Sequence, residues 1–531
     1  MTDDRAPDDR APDAPVPAPD DRAPDAPAPA PDDRTLDDTA FDETTPHSPA
    51  PADTAPAPAS TTPPATARRR RSLLAVSGRA SLALIAAATA VVLGAGVLLV
   101  ASPSVVVPVT SFAVTPDRTD QVLVCAGGAL GLTRGDDPQV TVVAAPRLRS
   151  AGEGLIESSV TTSDAIDGNT AVVTLPRNAP GTLVAATEAV QAATSDVGGL
   201  AAAECLPAAR SAWLVGGATT VGRTTWIVLT NADDVAAAVD LRVWGDAGAI
   251  EAPGTSGLIV AAGSQRVVPL AGIAVGEESP VVHVSSRGGS VAATLHTSVV
   301  RGLTPSGYSI VTPVAEPAVR HVIAALPLID SQTVLERSTG DGASDGLTTV
   351  RLLAPGDADA SVTVTLVPRE GGTGLVTETT LAAGAVIDLP FTGLADGEYS
   401  VVIESDEPIV VAGRTSAAGS AGLDVEWFTP SPALKAGADV LVSVAPLTEQ
   451  QSALLHLFAP DGDAVVTVDG VAITVPARTS VVVPSASNAG VRITTTASVH
   501  ASFSYRGDGL LAGSRVLGPP SASQPLTVFI D

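Results

Sequence analysis

The sequence predicts a mainly β protein: a disordered N-terminal tail, one transmembrane helix, then serial antiparallel β-sandwich (Ig-like) domains. Three observations predict it. Beyond residue 103 the apolar residues fall in short Val/Thr/Ile runs broken by Gly, Pro and Asp-Gly turns, such as VTVVAAP at 140–146 and VTVTLVP at 362–368. Hydrophobic residues make up 45% of the 531-residue chain, yet aromatics are 3% and Met occurs once, so the cores are built from Val, Ala, Leu and Ile. One plan of strands also recurs three times, and a recurring plan signals a modular architecture.

The elements follow in order. Residues 1–67 repeat variants of Asp-Asp-Arg-Ala-Pro-Asp and hold 14 Asp and one Glu against four Arg, with 16 Pro. Such a stretch buries too little apolar surface to offset its chain entropy, so an acidic, Pro-stiffened, disordered tail is expected. A basic flank at 68–79 carries Arg68, Arg69, Arg70, Arg71 and Arg79. The uncharged run 80–102 is long enough to span a bilayer, which takes about 20 residues of helix. With every nearby cation on its N-terminal side, the tail is expected in the cytoplasm and the rest outside, as a single-pass membrane protein. Two alternatives stand beside a retained anchor. They are cleavage after Val-Ala-Ser near Ser102, and a twin-arginine export signal at Arg70-Arg71.

Residues 103–531 hold the repeats. Segments 227–245, 350–368 and 455–470 share a strand, a polar turn and a second alternating strand; 259–270, 380–390 and 473–484 follow in step, and 281–298, 399–416 and 491–507 close each copy. A first β domain at 103–210 and three sandwich repeats at 211–317, 318–430 and 431–531 are therefore expected, strung out as a rod or bent string. The one segment that reads as a helix is Ala185 to Ala193.

Few residues carry chemistry. Cys125 and Cys205 are the only cysteines, both beyond the membrane run, and a disulfide between them would close 80 residues and stabilise the first domain by roughly 4 kcal/mol; two buried free thiols are the alternative. The histidines, His47, His283, His296, His321, His456 and His500, show no metal-ligand spacing, although His283 and His296 are candidates to share a sheet. Asp341, Asp345, Asp461 and Asp463 sit by Gly-rich turns, where Asp serves backbone hydrogen bonds and calcium is the competing reading. Adjacent carboxylates at Asp136-Asp137, Asp233-Asp234 and Glu277-Glu278 read as solvated turns and not as a glycosidase pair. No nucleophile elbow, phosphate loop or dinucleotide fingerprint occurs, so no catalytic residue, cofactor or metal is assigned. A net charge of −27 argues against nucleic acid as a partner.

The pieces Val124-Cys125-Ala126-Gly127-Gly128, Cys205-Leu206-Pro207, Trp213-Leu214-Val215-Gly216-Gly217 and Trp226-Ile227-Val228-Leu229-Thr230-Asn231 lie behind a single anchor. Together they resemble an uncharacterised actinobacterial family of single-pass cell-envelope proteins, a domain of unknown function, over residues 80–520. The resemblance implies a role beside a membrane glycosyltransferase in envelope glycan assembly or export, and supplies no catalytic residues. The expected function is a noncatalytic, membrane-anchored envelope scaffold or interaction protein with an unknown envelope protein or glycan as partner. The alternatives are an adhesin or wall-polysaccharide binder, distinguished by exposed aromatics among Trp213, Trp226, Trp244 and Trp427, and an extracytoplasmic enzyme, distinguished by a deep pocket with converging polar groups.

Overall fold

The structure is a computed structural model that describes residues 110–114, 119–166, 168–338, 343–372, 374–420, 422–518 and 526–530. The tail, Arg68, Arg69, Arg70, Arg71, Arg79 and the apolar run 80–102 lie outside the described residues. Among those described, no helix is long and apolar enough to cross a membrane. Residues Val107–Asp531 form one compact unit.

That unit contains one two-sheet plan three times. In the second sandwich Ser211–Val215, Val281–Gly288, Ala237–Gly245 and Gly248–Ile250 form an outer sheet; Thr304–Val311, Ala292–Arg301, Arg223–Asn231 and Ser264–Pro269 form the sheet facing it. The third sandwich repeats this order with Ala318–Leu328, the first half of Gly397–Gly419, Ala360–Pro368 and Leu375–Leu381, against Gly422–Phe428, the second half of Gly397–Gly419, Thr348–Leu353 and Val386–Phe391. The fourth does so with Asp439–Ser443, Gly490–Thr495, Ala464–Val468 and Val471–Val475, against Leu510–Arg515, His500–Gly507, Ser452–Phe458 and Ser480–Ser485.

The first sandwich is a reduced version. Gln121–Val124, Asn169–Leu175 and Ile156–Thr162 pair in one sheet, Arg147–Gly152, Val184–Ala193 and Gly198–Glu204 in the other, and a hairpin of Ala129–Leu132 with Val140–Ala144 is added. Leu123, Val173, Leu175, Val184 and Ala186 pack between the sheets around the Cys125–Cys205 disulfide, which is formed.

The strand-turn-strand unit visible in the sequence is an arch and not a hairpin. Arg223–Asn231 and Ala237–Gly245 lie in opposite sheets, as do their counterparts. Their burial differs accordingly. Ala237–Gly245 alternates between buried and more open positions, whereas all of Thr348–Leu353 is buried, because its sheet is covered on both faces.

Two expectations are corrected. Ala185 to Ala193 is strand: it lies within Val184–Ala193, paired on both edges by Arg147–Gly152 and Gly198–Glu204. Alanine's helix preference is at most about 1 kcal/mol per residue, and two ladders plus burial on both faces outweigh it. Nor is the β region a rod. The last strands of the sandwiches touch in a cycle, Gly198–Glu204 and Gly422–Phe428 each meeting both Thr304–Val311 and Leu510–Arg515. Side chains are absent where these backbones approach. A Cβ on Gly199 (φ 146°) would collide with the Tyr308 backbone nitrogen and the Asp424 carboxylate, and one on Gly307 (φ 147°) with Val425. Thr110–Val114 pairs antiparallel with Leu526–Ile530, bringing the two ends of the unit together.

Candidate functional site

The centre of the cycle is held by one carboxylate. Asp424 is fully buried on the closing strand of the third sandwich, and it accepts backbone N–H bonds from each of the other three closing strands: Leu200 at 2.9 Å and Leu511 at 3.1 Å on Oδ2, Tyr308 at 3.2 Å on Oδ1. Its neighbour Val425 donates a fourth at 3.0 Å. Burial pushes the Asp424 carboxyl up to about 7 despite these donors. Two residues on, and so on the same face of the strand, Glu426 is pushed well above the ordinary carboxylate range, by burial first and also by the nearby charges of Asp424 and Glu204.

Each seam has its own polar clamp. Glu204 of the first sandwich takes the Arg515 Nε at 2.8 Å and backbone nitrogen at 3.0 Å from the fourth, and the Thr312 hydroxyl at 3.0 Å from the chain leaving the second. Between the second and third, Arg351 is fully buried, binds Asp388 through two nitrogens at 2.7 and 2.9 Å, and donates to the carbonyls of Gly217, Pro280 and Glu278. Its guanidinium lies 4.6 Å from the Trp427 ring centroid, with that of Arg414 at 5.3 Å. Between the first and second, the Leu130 N–H donates to the Tyr308 hydroxyl, which pairs with His296 Nδ1 at 2.8 Å; burial lowers His296 to about 3 and raises Glu188 nearby to about 7. Asp424, Arg351, Tyr308 and His296 are buried and cement interfaces, Asp388 is half-buried, and Glu204 with Arg515 also lines a small cavity between the first and fourth sandwiches.

The space open to solvent lies elsewhere. A cavity of about 350 Å³ separates the outer sheet of the second sandwich from loops of the third. Cross-strand register places Trp213, His283 and Arg242 in one row on the outward face, and Trp244 is two residues from Arg242 on the same face. The Trp213 ring stacks on His283 at 4.3 Å and on Trp244 at 5.3 Å. Trp213 donates Nε1–H to Glu316 at 3.2 Å, and Ser211 Oγ is 3.0 Å from His283 Nε2. Arg242, Pro355 and Glu407 complete the walls. Burial lowers the His283 imidazole, with the Glu316 carboxylate opposing the shift. A smaller cavity of about 100 Å³ lies beside the disulfide between the first and fourth sandwiches, lined by Leu123, Val184 and Val440 and by the paired Glu204 and Arg515.

The remaining sequence candidates scatter. His283 and His296 do not share a sheet: their strands belong to opposite sheets of the second sandwich, because Val281–Gly288 crosses over before Ala292–Arg301 begins. His321 binds the Ile409 carbonyl, His456 the Ser504 hydroxyl and His500 the Ser431 carbonyl. Asp345 is buried against Arg223 and Arg414, Asp461 pairs with Arg320, and Asp463 accepts the Ala477 N–H. Asp341 and His47 lie outside the described residues. Among the described residues no three His, Cys, Asp or Glu are grouped to hold a metal ion. Of the tryptophans, Trp226, Trp427 and Trp213 are buried and Trp244 keeps partial exposure. Sequence reading missed Asp424 and Glu426, although two carboxylates at alternate positions inside the apolar run GLDVEWF were a signal.

The fold and its interfaces define a mainly β protein of repeated sandwiches, with a short α-helix at Ser331–Arg337, locked by buried charges and with an aromatic cleft on one seam. The chain belongs to the family of unknown function DUF5719, whose model matches residues 160–501, from the first sandwich into the fourth. No curated protein matches it. Among solved structures, the crystal structure of Thermotoga maritima 1070 is 15% identical with a TM-score of 0.18, over 22% of this chain and 95% of that one. The BSP domain of a biofilm-associated protein is 10% identical with a TM-score of 0.10, over 77% and 97%. At those scores neither carries an argument.

Proposed function

We propose that this chain is a noncatalytic cell-envelope scaffold, anchored by the run 80–102 with its tail in the cytoplasm, that presents the cleft between the second and third sandwiches to an envelope partner. The partner class is a membrane glycosyltransferase or the glycan it makes. One observation carries the reading. Of the carboxylates pushed furthest from their ordinary range, Asp424 and Glu426 sit where the closing strands of the sandwiches meet and Glu188 accepts the Gly127 N–H inside the first sandwich, whereas the open cleft offers aromatic and prolyl surface. Active sites place such perturbed groups where substrate reaches them. Ser211 and His283 form the one nucleophile-and-base geometry at the cleft, and the nearby carboxylate of Glu316 accepts a hydrogen bond from Trp213.

The test is a photocrosslinking amino acid placed in the full-length protein in its own cells, at Gly356 on the cleft rim or at Glu378 on the exposed edge of the third sandwich. A discrete envelope adduct from position 356 and none from 378 is expected. Adducts from neither position, at normal protein levels, would sink the scaffold reading. Cellular function lost in Ser211→Ala with the adduct intact would turn it towards an enzyme.

A further inference from the structure

The other seam of the same kind shows what closure looks like. The outer sheet of the third sandwich packs on the fourth through Val322, Ala324, Val367, Val402 and Phe458, all buried, as an aliphatic layer closed over one phenyl ring. The corresponding outer sheet of the second sandwich instead carries two indoles and an imidazole, and its seam stays open by about 350 Å³. The outward face of an antiparallel sheet is ordinarily polar. Aromatic rings that neither close the seam nor solvate the surface have the character of a binding platform.

We infer that this cleft is a saccharide subsite, in which Trp244 supplies the stacking surface for a neutral pyranose ring and Arg242 and Glu407 bind its hydroxyls. The inference rests on the proposed function and names the chemistry that cleft recognises. A pyranose has an apolar C–H face and an edge of hydroxyls that both donate and accept. The first matches an indole face, the second a rim holding one guanidinium and one carboxylate. Glu316 beside Trp213 adds a second carboxylate to this pair, so a neutral sugar suits the cleft better than an anionic one. The volume lies at the small end for ligand pockets, enough for a short saccharide and not for a long buried chain. A proline-rich peptide is the competing occupant, since such peptides dock on aromatic grooves. It fits less well: Trp213 meets Trp244 and His283 at interplanar angles of 30° and 23°, which makes one slab and leaves no slot between upright rings.

The experiment is saturation-transfer NMR with tryptophan fluorescence on the full-length protein, in a detergent without a sugar headgroup. The probes are the methyl glycosides of glucose, galactose, mannose and arabinose, with a peptide of residues 11–30 as competitor. At least one glycoside is expected to bind saturably with a dissociation constant of about 1 mM or tighter. Trp244→Ala should weaken it at least tenfold and Trp244→Phe should restore most of it; Trp244 also packs on the core and on Trp213, so both variants are compared at a temperature where circular dichroism shows them folded. No saturable binding by any glycoside, binding indifferent to Trp244→Ala, or preferential binding of the peptide would each overturn the inference. If glycosides fail while position 356 still captures an envelope adduct, the scaffold reading survives without a sugar site; loss of both removes both.

Discussion

Replacing Asp424 by Ala tests whether one carboxylate locks the four sandwiches. Leu200, Tyr308 and Leu511 each lose an acceptor at a buried centre. At roughly 2 kcal/mol for each stranded donor the cost is about 6 kcal/mol. Against it stands the cost of burying the carboxyl. Its folded value of about 7 lies above its unfolded 3.8, so the folded state holds its proton more tightly, and the group's contribution is fully present below about pH 4 and is lost as pH rises through 7. That loss amounts to about 4 kcal/mol across the window. The net penalty of the substitution is therefore about 5 kcal/mol near pH 4.5 and about 2 kcal/mol near pH 7.5. For a unit of some four hundred residues, 1 kcal/mol moves the melting temperature by about 1 °C, giving expected drops of about 5 °C and 2 °C. Calorimetry of the full-length variant at the two pH values reads this directly. Hydrogen exchange should show Gly198–Glu204, Thr304–Val311 and Leu510–Arg515 losing protection together, while Leu375–Leu381 at an outer edge is unchanged. A penalty that grows towards neutral pH, or protection lost on Gly422–Phe428 alone, would refute the reasoning.

Four further outcomes are expected. His456, lowered to about 4 by burial, stays neutral in the fold while its unfolded form gains a proton below about 6.5, so it costs stability as pH falls from 6.5 towards 4; His456→Gln should melt with a shallower acid slope than wild type. Arg351→Ala strands Asp388 and three carbonyls and should cost about 3–5 kcal/mol in urea unfolding, and Arg351→Lys should recover little of it, since an ammonium cannot span the same five acceptor atoms. Cys205→Ser opens an 80-residue loop and should cost about 4 kcal/mol, while thiol labelling of denatured, nonreduced wild type should detect no free cysteine. Protease added to spheroplasts should remove epitopes placed after residue 110 and spare one at residue 30; the reverse pattern would reverse the topology.

Much of the β plan was legible because strand signals are local. Alternation in VTVTLVP and the Asp-Gly and Pro turns report the face and ends of a strand whatever it pairs with. The three repeats were legible for the same reason, as was the pairing of two cysteines with no others to choose from. The aromatic residues of the cleft were visible only as four tryptophans, of which sequence could not say which keeps an exposed ring.

What tertiary structure decided is everything that depends on which distant strands meet. Ala185 to Ala193 carries a helical composition and becomes a strand because two neighbours offer it ladders. IVLTNADDVAAAVDLRVWG has the look of a hairpin, yet its halves enter opposite sheets, a choice made by the strands that flank them. Asp424 stands out in sequence only as a carboxylate inside the apolar run GLDVEWF, with nothing local to say what binds it. Only the meeting of four closing strands gives it three donors from other sandwiches and withdraws water from around it. The sequence by itself determined the recurring strands and the disulfide staple; the cycle, its buried carboxylates and the open seam arose from contacts between residues as far apart as Glu204 and Arg515, which no local pattern encodes.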